Sequence, residues 1–429
     1  MVAFSPPVIE AEPDERASAL GQPRHAAVLS SLLAPVVVAS VVQALCSAAL
    51  GSRALLVPLR SVELGASRGE VGLVFAAWTA TAAFASIPSA AAIERWGLRR
   101  SLGAAFALYL LSQTIPGLFD QFWVLVLSMV LGGVAAALAQ NGLMAWITSA
   151  QRPGAVARSM GWYTLAMQLG NTLGPAVAGV LLTWLSTKQT FLVTAAVLLP
   201  TFGFLLLAPT ARRGGGQAAF TGRMLELLRA PGILAIVAVF LMTGTAWGIF
   251  QSYYALFGTR GLGLTTSAVG FLIGLSAIVG AISRIPAGRL LARLQGREPQ
   301  ALMVATTGVG LTLILLPHAG GLVGAGLVAI AFSPLVSVGQ LAAAVALTSR
   351  AGPETKSSAL SIYTLVFNLG WGAGVVAFSP FMQAGYLPGF TASGTACALV
   401  GVAALAASRL RSRSEVEAFP AGSEAGTGR

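Results

Sequence analysis

Residues 163–175 read YTLAMQLGNTLGP, and residues 363–375 read YTLVFNLGWGAGV. The two phrases stand 200 residues apart in a chain of 429. In one register Tyr163, Thr164, Leu165, Leu169, Gly170 and Gly174 meet Tyr363, Thr364, Leu365, Leu369, Gly370 and Gly374. Upstream, Gln140, Thr148, Ser149 and Pro153 meet Gln340, Thr348, Ser349 and Pro353. A shift of 198 aligns LGASRGEVG (64–72) with LGLTTSAVG (262–270), and IPSAAAIER (87–95) with IPAGRLLAR (285–293). Shared Leu or Ala between apolar stretches would mean little. Tyr, Gln, Pro, Gly and Arg in a common register mark an internal repeat.

The repeat sits in a chain that is 56% apolar and 9% charged, with a mean hydropathy of +0.80. A soluble protein of this length needs far more charge to cover its surface. The apolar residues come in blocks of about 20 or more, the length at which a helix rising about 1.5 Å per residue crosses about 30 Å of hydrocarbon. The chain therefore reads as an all-α membrane protein. Twelve transmembrane helices are expected at about 28–57, 69–92, 100–118, 122–149, 156–184, 189–208, 232–257, 266–291, 301–317, 320–348, 358–384 and 389–408. They divide into six-helix bundles at 28–208 and 232–408, with a cytoplasmic linker at 209–231 and disordered tails at 1–27 and 409–429. The repeat shift covers six helices, an even number, so the halves are expected to be parallel copies about an axis along the membrane normal.

Charge fixes the orientation. With both termini inside, twenty of the 26 Lys and Arg residues fall in cytoplasmic segments, and Arg60, Arg68, Lys188 and Arg260 fall outside. That is a positive-inside bias. The Ala, Gly and Arg bias with only two lysines suggests a GC-rich bacterial genome, so the expected place is a bacterial inner membrane, as a multi-pass chain. The net charge of +12 does not imply nucleic acid, because the arginines punctuate span ends rather than gather on one face. Cys46 and Cys397 lie inside spans, so no disulfide framework, metal set or cofactor is expected. No nucleophile–base constellation points to an enzyme.

Two parallel six-helix halves around a central site resemble the major facilitator superfamily, and the local motifs agree. AAAIERWGLRR (90–100) is similar to the superfamily's loop between spans 2 and 3, Gly-x-x-x-Asp-Arg-x-Gly-Arg-Arg. Glu94, Arg95, Gly97 and Arg99 fit, while Ala90 and Leu98 depart from it. The second-half copy GRLLARLQGR (288–297) keeps Gly288, Arg293, Gly296 and Arg297 but has Ala292 where an acid would stand. The resemblance implies that Glu94 helps lock a cytoplasmic gate by meeting Arg95 or Arg99. Gly170, Gly174 and Pro175 on span 5, with Gly370 and Gly374 on span 11, put small residues one turn apart. They serve either close helix packing or a hinged gate closing across the two-fold axis.

All fourteen acids fall in tails, loops or span ends. Arg284 and Arg53 fall inside spans. Arg284 lies about two and a half turns from Arg293, and no acid on a neighbouring span stands at its depth. Intramembrane arginine costs at least about 2.5 kcal/mol to insert, so it normally faces the bundle interior and a partner. An anionic substrate would be that partner; the other reading is a snorkelling or carbonyl-bonded arginine that serves the cytoplasmic gate. Arg284-Ile285-Pro286-Ala287-Gly288 resembles span 8 of monocarboxylate and oxalate:formate carriers, which implies a carboxylate grip. Arg53, near the outer end of span 1, is a further candidate for substrate binding, or is close enough to snorkel outward. Candidate cavity residues are Gln140, Asn141, Tyr163, Gln168, Asn171, Trp247, Gln251, Tyr254, Gln340, Tyr363, Asn368 and Trp371, neutral groups on spans 4, 5, 7, 10 and 11.

The expected function is secondary active transport of a small organic anion, a monocarboxylate by the span 8 resemblance, by alternating access with proton symport or exchange. The alternative is efflux of hydrophobic or weakly charged compounds of the drug:proton antiporter type. Expected partners are the substrate, protons and membrane lipid, with no nucleic acid and a monomeric chain.

Overall fold

A computed structural model describes residues 35–149, 156–208, 229, 232–294, 296–350 and 356–418. The expected N-terminal tail and most of the expected linker lie outside the described residues. The first apolar block forms α1 (Pro35–Gly51) and α2 (Arg53–Glu63), interrupted at Ser52. Then follow α3 (Arg68–Trp96), α4 (Leu98–Leu118), α5 (Phe122–Ser149) and α6 (Val156–Leu181). The next block is broken into α7 (Thr187–Ala196) and α8 (Leu199–Phe204). Pro200 explains that break, since it has no N–H to continue the ladder. The remaining helices are α9 (Ile233–Leu256), α10 (Thr266–Arg293), α11 (Glu298–Leu315), α12 (Gly321–Ser349), α13 (Lys356–Ala384) and α14 (Tyr386–Ala418). Helix α14 extends into the segment expected as a disordered tail, because Arg, Leu, Glu and Ala are good helix formers.

Among the described residues, ten helical segments are long and apolar enough to cross a membrane. Helix starts at one end of the bundle are fixed by side-chain caps. Ser67 and Glu70 form a capping box at α3, Ser186 and Gln189 form another at α7, and Thr265 caps α10. The same end holds the ion pairs of the described residues: Arg60 with Glu63 (3.2 Å) and Asp120 (2.5 Å), and Lys188 with Asp120 (2.8 Å). They tie α2 to the α4–α5 turn and to α7.

Within each part of the chain, small residues let backbones touch. Gly170 and Gly174 of α6 lie on α1: a Cβ at Gly170 would stand 2.4 Å from the Ala44 carbonyl, and one at Gly174 2.3 Å from that of Ala48. Gly370 and Gly374 of α13 lie on α9 in the same manner, against the Leu241 carbonyl at 2.2 Å and the Thr245 side chain at 2.4 Å. These glycines do not close on one another across the molecule. Facing helices approach closely where small side chains permit it, and here the neighbour that does so belongs to the same part of the chain.

Residues 35–208 and 233–410 meet along two seams, α3 against α13 and α6 against α10. Both seams lie at the capped end. Gly69 faces Ser379 and Gln383, Gly72 faces Tyr253 and Val375, and Gly179 faces Thr266 and Gly270. The Arg68 guanidinium sits 4.4 Å from the ring centroid of Tyr386.

Candidate functional site

Below the seams a cavity of about 430 Å³ opens between α1, α3, α5 and α6 on one side and α9, α10, α12 and α13 on the other. Its floor, at the seam end, is aromatic. Trp78 meets Trp371 edge to face, with ring centroids 5.2 Å apart, and Phe75 stacks on Trp371 at 6.4 Å. Trp247 and Phe250 complete it, each stacked on Phe332, at 6.3 and 4.4 Å. The walls carry amides and hydroxyls, and the other end reaches Gln140, which is exposed.

The lining includes two formal charges, Arg53 and Arg284, and neither a carboxylate nor a histidine. Arg284 is half-buried on α10, and its Nη2 donates to Gln340 Oε1 of α12 at 3.0 Å. Ser337, one turn before Gln340, donates to the Gly280 carbonyl at 2.8 Å, so α10 and α12 are pinned beside the guanidinium. Tyr363 lines the same region, its ring stacked on Phe240 at 4.8 Å.

Arg53 does not snorkel outward. It is 2% exposed. Its Nε donates to Gln113 Oε1 and its Nη2 to Ser112 Oγ, both at 2.7 Å, while Nη1 faces Met129 Sδ at 3.7 Å. Gly132 leaves the space: a Cβ there would stand 2.4 Å from Arg53 Nη1. The two hydrogens of Gln113 Nε2 are in turn shared among the Ala49 carbonyl, Ser52 Oγ and Thr194 Oγ1. A polar pocket inside the bundle captures this arginine at less cost than stretching it to the interface.

Of the residues expected at the cavity or to bind substrate, the cavity brings together Arg53, Gln140, Gln168, Asn171, Trp247, Gln251, Arg284, Gln340, Tyr363, Asn368 and Trp371. Three stand elsewhere. Asn141 donates to the Ser86 carbonyl (3.1 Å) and Ser89 Oγ (2.6 Å), clamping α5 to α3. Tyr254 is buried, with its hydroxyl on the Ala325 carbonyl at 3.1 Å. Tyr163 is buried in a core with Leu143 and Trp146. Each lies on a helix that does line the cavity but on a face turned away from it. Asn368 spends one amide hydrogen on its own helix, at the Thr364 carbonyl (2.9 Å).

The expected gate residues are also placed. Gly97, at φ 83°, makes the one-residue link between α3 and α4, a conformation that favours glycine. Glu94 is half-buried, Arg95 exposed and Arg99 half-buried, and Glu94 makes no ion pair with a described residue. The expected contact with Arg95 or Arg99 is therefore not made. Arg95 lies at the exposed end of α3 and Arg99 in the first turn of α4, and a pair at an exposed position is worth about 0–1 kcal/mol. Pro175 lines the cavity, and its carbonyl faces Gly270 across the seam. Arg293 is exposed at the end of α10, and Gly288 meets no atom closer than the Leu341 side chain at 3.9 Å.

Sequence reasoning passed over Trp78, Phe75 and Phe250 in the floor and Gln113 and Ser112 around Arg53. A signal existed for Trp78: tryptophan favours membrane interfaces, so one in mid-span asks for a reason. Gln113 in an apolar block carried a comparable hint.

Comparison with known proteins gives these features a setting. Residues 36–375 match the family model described as Major Facilitator Superfamily. Multidrug resistance protein 1 of Bacillus subtilis (strain 168) is 24% identical over 225 residues, and multidrug resistance protein 2 of the same organism 22% over 234. Each match spans 52% of this chain and 58% of the relative. Among solved structures, the nucleoside transporter NupG superposes with a TM-score of 0.74 at 12% identity, covering 87% of this chain and 98% of that one. A peptide transporter POT in complex with sulfate gives 0.72 at 14%, covering 87% and 94%. At such identities the structural likeness concerns the fold.

Proposed function

The chain belongs to the major facilitator superfamily and is a membrane transporter, not an enzyme, and from that premise we propose that it moves a small organic anion by alternating access. One observation carries this reading: the cavity presents Arg53 and Arg284 with no carboxylate or histidine among its lining residues. Between low-dielectric helices, fixed positive charge without a protein counter-ion favours an anionic occupant. Arg284 is the closer match to a binding group, since it is half-buried and, among the described residues, hydrogen-bonds Gln340 alone. Arg53, with neutral partners all round, supplies field more than contact. A proton coupled to transport would enter on the substrate or titrate the anion–arginine pair, and exchange fits the same cavity.

The reading includes the architecture expected from the repeat. Helices α3 and α6, of 29 and 26 residues, are long enough to cross with the ten apolar segments, giving twelve spans. The two parallel copies would rock about the cavity, with the termini and the Arg95 and Arg293 end facing the cytoplasm of the plasma membrane and the chain acting as a monomer. The seams at the opposite end are then the outer gate, closed here.

A second reading, efflux of hydrophobic or weakly charged compounds, draws support from the aromatic floor and from the names of the two bacterial relatives. A thermal-shift screen separates the two, because a ligand that binds only the folded state raises the melting temperature. Wild type and Arg284→Gln are compared with acetate, lactate, succinate and tetraphenylphosphonium. Stabilisation of wild type alone by a carboxylate supports anion transport. A tetraphenylphosphonium shift in both proteins, with no carboxylate response, replaces it with efflux.

A further inference from the structure

The cavity has two chemically different ends, and their separation limits what fills it. Resting on the anion reading above, we propose that the substrate is an elongated amphipathic anion, with its charged group at Arg284 and Gln340 and an aromatic or alicyclic group on the Trp78–Trp371 floor.

Three observations lead there. Tyr363, beside the arginine, and Trp371, in the floor, lie on one helix eight residues apart. At about 1.5 Å per residue that is about 12 Å of depth. A two- or three-carbon acid held by Arg284 would leave the floor empty. The volume of about 430 Å³ also falls in the range of about 300–1,000 Å³ that encloses drug-sized ligands rather than the smallest metabolites. Finally, Trp371 is 7% exposed, yet its Nε1 and that of Trp78 make no hydrogen bond. A buried indole N–H without an acceptor is unfavourable. Two such groups beside a cavity make a floor that can hold a ring and still donate to a polar substituent on it, once the side chains adjust. The same design reconciles a cationic wall with aromatic panels of the kind that grip apolar compounds, since an amphipathic anion uses both.

The test is titration calorimetry on protein in lipid nanodiscs, with empty nanodiscs as the blank. The probes are benzoate, n-hexanoate, 6-phenylhexanoate and the neutral 6-phenylhexanol. The expected result is that 6-phenylhexanoate binds about ten-fold or more tighter than either benzoate or n-hexanoate, the contribution of a buried ring. Trp371→Leu brings 6-phenylhexanoate down to about the affinity of n-hexanoate for the same variant, and a wild-type elution profile in size-exclusion chromatography shows that the variant is folded. Trp371→Phe retains part of the gain. If Trp371→Leu does not fold, Trp78→Leu on the facing helix carries the same comparison. Should all three carboxylates bind alike, weakened by Arg284→Gln and untouched by either tryptophan change, the amphipathic substrate is refuted and the anion reading survives. Should 6-phenylhexanol bind as tightly as 6-phenylhexanoate, with Arg284→Gln affecting neither, both fall together.

Discussion

Arg53 Nε lies 2.7 Å from Gln113 Oε1, and this bond joins the start of α2 to the last third of α4 in the fully buried interior. Gln113 is the hub of the cluster, because its Nε2 also serves α1, Ser52 and, through Thr194, α7. Gln113→Leu leaves a buried guanidinium N–H without an acceptor. Hydrogen bonds to charged groups contribute about 1.5–3 kcal/mol, and neutral ones about 0.5–1.5. Gln113→Leu is thus expected to lower the unfolding temperature clearly more than Thr194→Val, as read by thermal unfolding in detergent. Equal losses would show that the charge is not what the cluster serves.

Gly174 lies so close to α1 that a Cβ would meet the Ala48 carbonyl at 2.3 Å and the Ser52 nitrogen at 2.7 Å, both backbone atoms that cannot swing aside. Gly174→Val is expected to cost at least about 1–3 kcal/mol through overpacking. Size-exclusion chromatography of the expressed protein should show lost or aggregated material. Gly203→Ala in α8 has open space around its Cβ and is the matched control. A monodisperse, wild-type-like Gly174→Val would mean that α1 and α6 separate freely.

The α3–α13 seam offers a direct test of alternating access. A Cβ at Gly69 would stand 2.5 Å from Ser379 Oγ, within the reach at which paired cysteines form a disulfide. Oxidation of Gly69→Cys/Ser379→Cys should stop transport in proteoliposomes, and reductant should restore it. Cys46 and Cys397 are buried and do not compete. Full transport by the cross-linked protein would show that this seam never opens.

Asp120, in the turn between α4 and α5, has its carboxyl held below its usual value of 3.8 by Lys188 and Arg60. A depressed carboxylate contributes stability above its unfolded pKa and loses it as pH falls through the folded one. Wild type should therefore soften below pH of about 4, and Asp120→Asn should flatten that part of the curve. With Asp120 63% exposed, the effect is small. Melting temperatures measured from pH 3 to 7 on both proteins check it, and parallel curves would rule it out.

Much of this molecule was legible along the chain. The apolar blocks located the helices to within a few residues at most ends, and the absence of acid from the spans isolated Arg284 and Arg53 before any geometry was known. Gly97 could be placed at a turn from its motif. Proximity was harder to read. Asn141 and Gln140 are adjacent in sequence, yet Gln140 lines the cavity while Asn141 clamps α5 to α3. Tyr363 reaches the cavity, and Tyr163, its repeat counterpart, is sealed in a core.

The division has one physical cause. Burial in lipid makes every face of a crossing helix apolar, so hydropathy and charge determine by themselves which segments cross and which ends carry arginine. They leave unmarked which face meets a neighbour, which meets lipid and which meets the cavity. Those choices rest on where small residues let backbones close, as Gly170 and Gly174 do on α1, and on where a polar pocket such as Gln113 and Ser112 is assembled from separate helices. Only the packed tertiary structure brings such pieces together, and it alone turned Arg53 inward and set an aromatic floor opposite Arg284.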